Sequence, residues 1–250
     1  MHKIRQLVLR YPQLSVLIVI NVAVWVLLRL LLLCSPAAGW SVLRWCELPC
    51  GVLPMLHRMW SLLTYMWVQT DGVHLLFNML CLYWFGLMLP QGCGWSVGRL
   101  YVCGGVCGGL LYAIVGAASG NTLIGSSAAV IAVAMAVTVV IPKRRVTLPV
   151  IGPVQLMWIT VALVTVDVAS VAFGDLSGHV AHLGGMLSGL LAGWQMRKWR
   201  FTPIQIQSNT EREDMQEPTT EQILSKVRRS GHSSLTPEER KILFKMSRGK

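Results

Sequence analysis

Charge is scarce in this 250-residue chain. Only 13% of its residues are Asp, Glu, Lys or Arg, and the acidic ones number 11 against 22 basic. With 54% hydrophobic residues and a mean hydropathy of +0.55, the chain has too little polar surface for a soluble domain of this length. Alternating or strictly amphipathic patterning is also lacking, because the apolar residues fall in long blocks. Zinc-site cysteine spacing is absent too. Seven cysteines are scattered, with no zinc-site spacing among them. Cys81, Cys103 and Cys107 lie within apolar blocks, where cysteine serves as a small apolar residue. Cys34, Cys46 and Cys50 fall on or near the expected outer side, and a Cys46–Cys50 disulfide is left open. The first apolar segment follows Lys3, Arg5 and Arg10 as a signal peptide would, but no convincing cleavage site follows it. It reads as a retained span.

What is present is a set of six apolar blocks, at 14–34, 72–89, 98–118, 122–141, 151–173 and 178–196. A bilayer core about 30 Å thick is crossed by roughly 20 apolar helical residues. The expected architecture is therefore an all-α membrane protein: a cytoplasmic segment 1–13, a six-helix domain 14–196 and a basic cytoplasmic tail 197–250. Charge placement supports it. With the N-terminus inside, residues 1–13 hold three basic residues, the second loop holds Arg99, the fourth loop holds Lys143, Arg144 and Arg145, and the tail holds twelve. That puts 19 of 22 on one side, as the positive-inside rule requires. The net charge of +11 thus speaks for a bilayer surface and against nucleic acid.

Two further regions have character. The stretch 35–71 carries Trp40, Trp45, Trp60 and Trp67 with three prolines, and is expected either in the outer membrane interface or as a packed cap over helix ends. The tail, with a net charge of +5 from twelve basic and seven acidic residues, contains capping patterns at Thr219–Gln222 and Thr236–Glu239. A small helical hairpin near anionic headgroups is expected.

Polar side chains inside spans are costly and point to function. Three sets stand out: His74 with Asn78, Ser126 with Ser127, and His179 with His182. Spans two, four and six all start from the outer side, so the three sets share one leaflet. At about 1.5 Å per residue, Ser127 and His182 lie roughly 7 Å below their span starts. Gly185, Gly189 and Gly193 repeat every fourth residue, and Ala128, Ala129 and Ala132 follow Ser127. Such small residues allow close helix crossing, which would bring Ser127 within hydrogen-bond reach of His182. A Ser–His pair can run acyl transfer, with the Ser127 backbone N–H, the Asn78 amide and the His74 ring as oxyanion donors. The simpler reading of each taken singly is a helix cap, a structural histidine or helix packing. Spacing places no acid to orient His182. Asp175 has no special reason to pair with it, and Asp167 reads as an interhelical hydrogen bonder or, in a transporter, an ion site. His179 reads as a loop-edge residue and His232 as solvated.

HLLFNMLCLYWFG (74–86), GSSAAV (125–130) and AHLGGMLSG (181–189) together resemble the motifs of rhomboid intramembrane serine proteases. WSLLTYMW (60–67) is similar to that family's first-loop region, and the segment ILSKVRRSGHSSLTPEERKILF resembles tails of some bacterial rhomboids. The resemblance implies a six-helix bundle with a cavity open to the outer face, in a bacterial inner membrane. It implies Ser127 as nucleophile, His182 as general base, and His74, Asn78 and the Ser127 amide as the oxyanion hole. Transmembrane protein substrates would be cleaved near their outer ends, without metal or cofactor. The alternative is an inactive rhomboid-like protein that binds membrane clients. Four positions depart from the family pattern: Ala128 in place of glycine, Ile131 in place of an aromatic, Ser61 in place of arginine after Trp60, and Gln69 near a customary upstream histidine.

Overall fold

The computed structural model describes residues 10–90, 92, 94–115, 121–148, 151–170, 176–198, 220–230, 234–236 and 239. Contacts divide the chain into two units, Met1–Thr202 and Pro203–Lys250.

In the first unit each apolar block holds a helix. Helix α1 (Pro12–Cys34) starts on a proline, whose missing N–H costs nothing in the first turn. It turns Leu14, Leu17, Asn21 and Leu28 inward and leaves Val19, Leu27 and Leu33 exposed. Helix α2 (Pro36–Cys46), strand β1 (Leu48–Pro49), α3 (Val52–His57), α4 (Ser61–Thr64) and a 3-10 turn (Tyr65–Trp67) fill the long first loop. Then come α5 (Gly72–Met88), α6 (Val97–Val115), β2 (Thr122–Leu123), α7 (Ser127–Val140), the hairpin β3 (Arg145–Leu148) and β4 (Gly152–Gln155), α8 (Leu156–Ser170) and α9 (Leu176–Lys198).

Two of these helices, α1 and α6, are long and apolar enough to cross a membrane. A third crossing results if the pair Ser61–Trp67 and Gly72–Met88, bent by 97°, counts as one. Helices α7 and α8 are shorter than expected, at 14 and 15 residues. The reason is that their blocks begin in strand, not helix. Residues 122–123 pair antiparallel with β1, and 152–155 return along 145–148 as a hairpin. Gly125, at φ +119°, then turns the chain from β2 into α7 in a conformation that side chains disfavour, and its N–H bonds the Tyr65 carbonyl at 3.0 Å.

Helix α7 is the centre of the bundle. Nine of its residues, from Ala128 to Thr138, are buried around its whole circumference, as in a helix enclosed on every side. Its neighbours approach closely because they present glycine. A methyl group at Gly185 would overlap the Ala128 carbonyl, and one at Gly189 the Ala132 carbonyl. At Gly184 it would stand 2.7 Å from the Cys107 carbonyl on α6. Thr138 and Thr160 hydroxyls, 2.6 Å apart, join α7 to α8.

The first loop is two-sided. Leu43, Leu48, Met55, Tyr65 and Met66 are buried beneath it, whereas Trp40, Trp45, Leu53, Met59, Trp60 and Leu63 are exposed. It therefore caps the bundle and shows an apolar outer face. Trp45 and Trp60 stack at 5.4 Å, and the Trp60 indole donates to the Trp45 carbonyl at 3.0 Å. Cys46 and Cys50 are not joined in a disulfide.

In the second unit α10 (Thr220–Ser230) buries Ile223, and Leu235 is buried as well. Thr236 and Glu239 form the expected reciprocal cap, with the Thr236 N–H donating to Glu239 at 2.7 Å and the Glu239 N–H to Thr236 Oγ1 at 3.3 Å. Lys226 bonds both oxygens of Glu239, at 2.8 and 2.9 Å, and this contact leads the effects that hold that carboxyl below its usual range. Thr219 and His232 lie outside the described residues.

Candidate active site

Small residues decide where the catalytic candidates meet. Because Gly185 lies against Ala128, the first turn of α7 and the second turn of α9 are held side by side. There Ser127 Oγ donates to His182 Nε2 at 2.7 Å. The two belong to helices 55 residues apart in sequence, so the pairing is a product of the fold. Ser126, one step earlier, points elsewhere. It is fully buried, makes no side-chain cap, and accepts from Gln69 Nε2 at 3.1 Å.

Asn78 is buried and donates to Gln69 Oε1 at 3.0 Å. Gln69 also reaches Asn21 Oδ1 at 3.3 Å, and Asn21 exchanges contacts of 3.1 and 3.2 Å with the Tyr101 hydroxyl. That hydroxyl donates in turn to the Met66 carbonyl at 2.9 Å. Four elements, α1, the loop before α5, α5 and α6, are thereby tied to the start of α7 through one buried polar chain. His74, on the same helix as Asn78, is exposed. Its backbone N–H is capped by Asp71 Oδ1 at 2.6 Å, and its Cε1 lies 3.8 Å from the place a Gly125 side chain would occupy. The sequence thus named both residues, and the structure sets Asn78 one link from Ser126 and His74 beside Gly125.

Two expectations are corrected. An acid does face His182, and it is Asp167 of α8. The His182 Nδ1–H donates to Asp167 Oδ1 at 2.5 Å. His179 is not a loop-edge residue. It stands in the first turn of α9, and its Nδ1–H donates to the same oxygen at 2.8 Å. Spacing could not reveal either contact, because Asp167 and the two histidines sit on different helices. Asp175 lies outside the described residues. The ligand atoms of Asp167, His179 and His182 are within 4.8 Å of one another, a donor set with the chemistry to hold a divalent ion. Gln69 enters the sequence reading only as a departure from the family pattern, and Asn21 not at all. Each is a lone polar residue with no motif around it, and only the fold shows their partners.

A hydroxyl whose proton is accepted by an imidazole, at a helix N-terminus among buried amide donors, is an arrangement suited to nucleophilic acyl transfer. A Rhomboid domain model matches residues 56–199, which is more than half of the chain. The chain belongs to the rhomboid family. Within that family it is similar to RHOMBOID-like protein 7 of Arabidopsis thaliana, 28% identical over 145 residues. That match covers 58% of this chain and 45% of the plant protein, so the chain spans less than half the length of that relative. Family membership and the long apolar helices make it a membrane protein. Residues 56–199 include Gln69, Asn78, Ser127 and His182.

Proposed function

We propose that this protein is an intramembrane serine endopeptidase that cuts transmembrane segments of other membrane proteins near their outer ends. The observation that carries the reading is the 2.7 Å contact between Ser127 Oγ and His182 Nε2. His182 Nε2 takes the hydroxyl proton as Ser127 Oγ forms a bond to the scissile carbonyl carbon. The resulting oxyanion is met by the Ser127 N–H, the second N–H of Asn78 and the His74 ring. The C–N bond then breaks, and His182 returns the proton to the leaving amine. Water, deprotonated by the same imidazole, hydrolyses the acyl-enzyme and releases Ser127. A hydrogen-bonded helix hides its carbonyls, so substrates with small or helix-breaking residues near the cut are favoured.

The finer architecture belongs to the same proposal. Six helices cross the membrane, with both termini on the cytoplasmic side of a plasma membrane, as in a bacterial inner membrane. Helix α7, about 21 Å long at 1.5 Å per residue, is shorter than the apolar core, which leaves Ser127 recessed from the outer surface and reachable by water. The second reading is an inactive client binder, favoured by Ala128 and Ile131 where the family pattern has glycine and an aromatic. Reconstituted with a single-span substrate, the wild type and Ser126→Ala should cleave, the latter more slowly because Gln69 loses a partner. Ser127→Ala and His182→Ala should not. Cleavage that survives Ser127→Ala would rule out the pair, and a wild type without activity on any such substrate would favour the binder.

A further inference from the structure

Resting on that reading, the geometry points to Asp167 as a positioning residue for His182, which turns the pair into a Ser–His–Asp relay with His179 as a second support. The ring of His182 is held at both ends. Its Nδ1–H bonds Asp167 Oδ1 at 2.5 Å and its Nε2 accepts from Ser127 at 2.7 Å. A carboxylate at Nδ1 fixes the tautomer that leaves Nε2 unprotonated, and it stabilises the imidazolium formed when Ser127 attacks. Asp167 is only 12% exposed and His182 18%, so water competes weakly for the contact. His179, three residues earlier and so on the same helix face, donates to the same oxygen at 2.8 Å, with its ring edge-on to that of His182 at 5.9 Å. Two donors on one oxygen hold the carboxylate in place and temper its charge. The separations are those of shared protons. Donors bridged by a tetrahedral ion at about 2.1 Å from each would stand roughly 3.4 Å apart.

Among the described residues, other groups near the His182 ring come from α5, α6 and α7. Helix α5 presents His74, within electrostatic range of His182. Helix α7 presents Ser127, and α6 meets α9 through Gly108 and the Cys107 carbonyl. Among the described residues, Asp167 is the carboxylate hydrogen-bonded to this ring.

The test compares full-length wild type, Asp167→Ala, His179→Phe and Ser127→Ala in proteoliposomes, with cleavage of a single-span substrate followed against pH. Asp167→Ala should lower kcat about tenfold or more with KM little changed. It should also move the acidic limb of the rate profile to lower pH, because the negative charge that favours imidazolium is gone. His179→Phe should move that limb the opposite way, since Asp167 then serves His182 alone. The position of the limb does not depend on how much protein is folded, so partial misfolding leaves it readable. An Asp167→Ala profile that coincides with wild type in kcat and acidic limb, while Ser127→Ala is inactive, overturns the proposal. Activity persisting in Ser127→Ala overturns the underlying reading instead.

Discussion

A serine hydroxyl attacks a carbonyl only when a neighbour removes its proton, so the two adjacent serines of 126–127 are distinguished by what each touches. Ser127 meets His182, whereas Ser126 is sealed inside the bundle against Gln69. The Gln69 amide serves both ends of the site, because it donates to Ser126 and accepts from Asn78. Truncating Asn78 to alanine removes a proposed oxyanion donor and should lower kcat by about 100-fold, with a smaller effect on KM, measured by single-turnover cleavage. Gln69→Ala strands buried amide and hydroxyl groups and should cost about 1–3 kcal/mol of stability, read as a lower unfolding temperature in detergent. Ser127, His182 and Asn78 were legible in the sequence because each sits in a motif with fixed spacing. Asp167 and Gln69 were not, since a single polar residue declares no partner until the helices are packed.

At the scale of elements, the glycines of α9 set the distance on which the hydrogen bond depends. Gly185 has no room for a side chain beside the Ala128 carbonyl, whereas Gly178, on the same helix, has nothing within 4 Å of its would-be Cβ. Gly185→Val should therefore abolish cleavage and lower thermal stability, while Gly178→Ala should leave both near wild type. Equal behaviour of the two variants in cleavage and unfolding assays would contradict the account. The four-residue glycine repeat announced this crossing, because small residues at that interval form one face. The ends of α7 and α8 were less legible. Apolar strand residues such as Leu123 and Val154 continue the hydropathy of the adjoining helices, and their pairing with β1 and β3 leaves no mark in composition.

For the molecule as a whole, the proposed orientation rests on where basic residues lie. The loop holding Lys143, Arg144 and Arg145 should face the cytoplasm, and the tryptophan-rich first loop the opposite side, where Trp40, Trp45 and Trp60 expose apolar rings. In a cysteine-free background of the full chain, Lys143→Cys should resist a membrane-impermeant maleimide in intact cells and react once the membrane is opened. Ser41→Cys should react in both. Reversal of the two would invert the topology and place the site on the cytoplasmic side. The basic tail carries its own local order, with α10 and the Thr236–Glu239 cap.

The central claim is that Ser127 is a nucleophile activated by His182. Labelling with a fluorophosphonate, followed by peptide mass spectrometry, tests it without knowledge of the natural substrate. The account predicts a single adduct on Ser127 in wild type, retained in Ser126→Ala and lost in His182→Ala. An adduct on Ser126 or another serine, or undiminished labelling of Ser127 in His182→Ala, would contradict it.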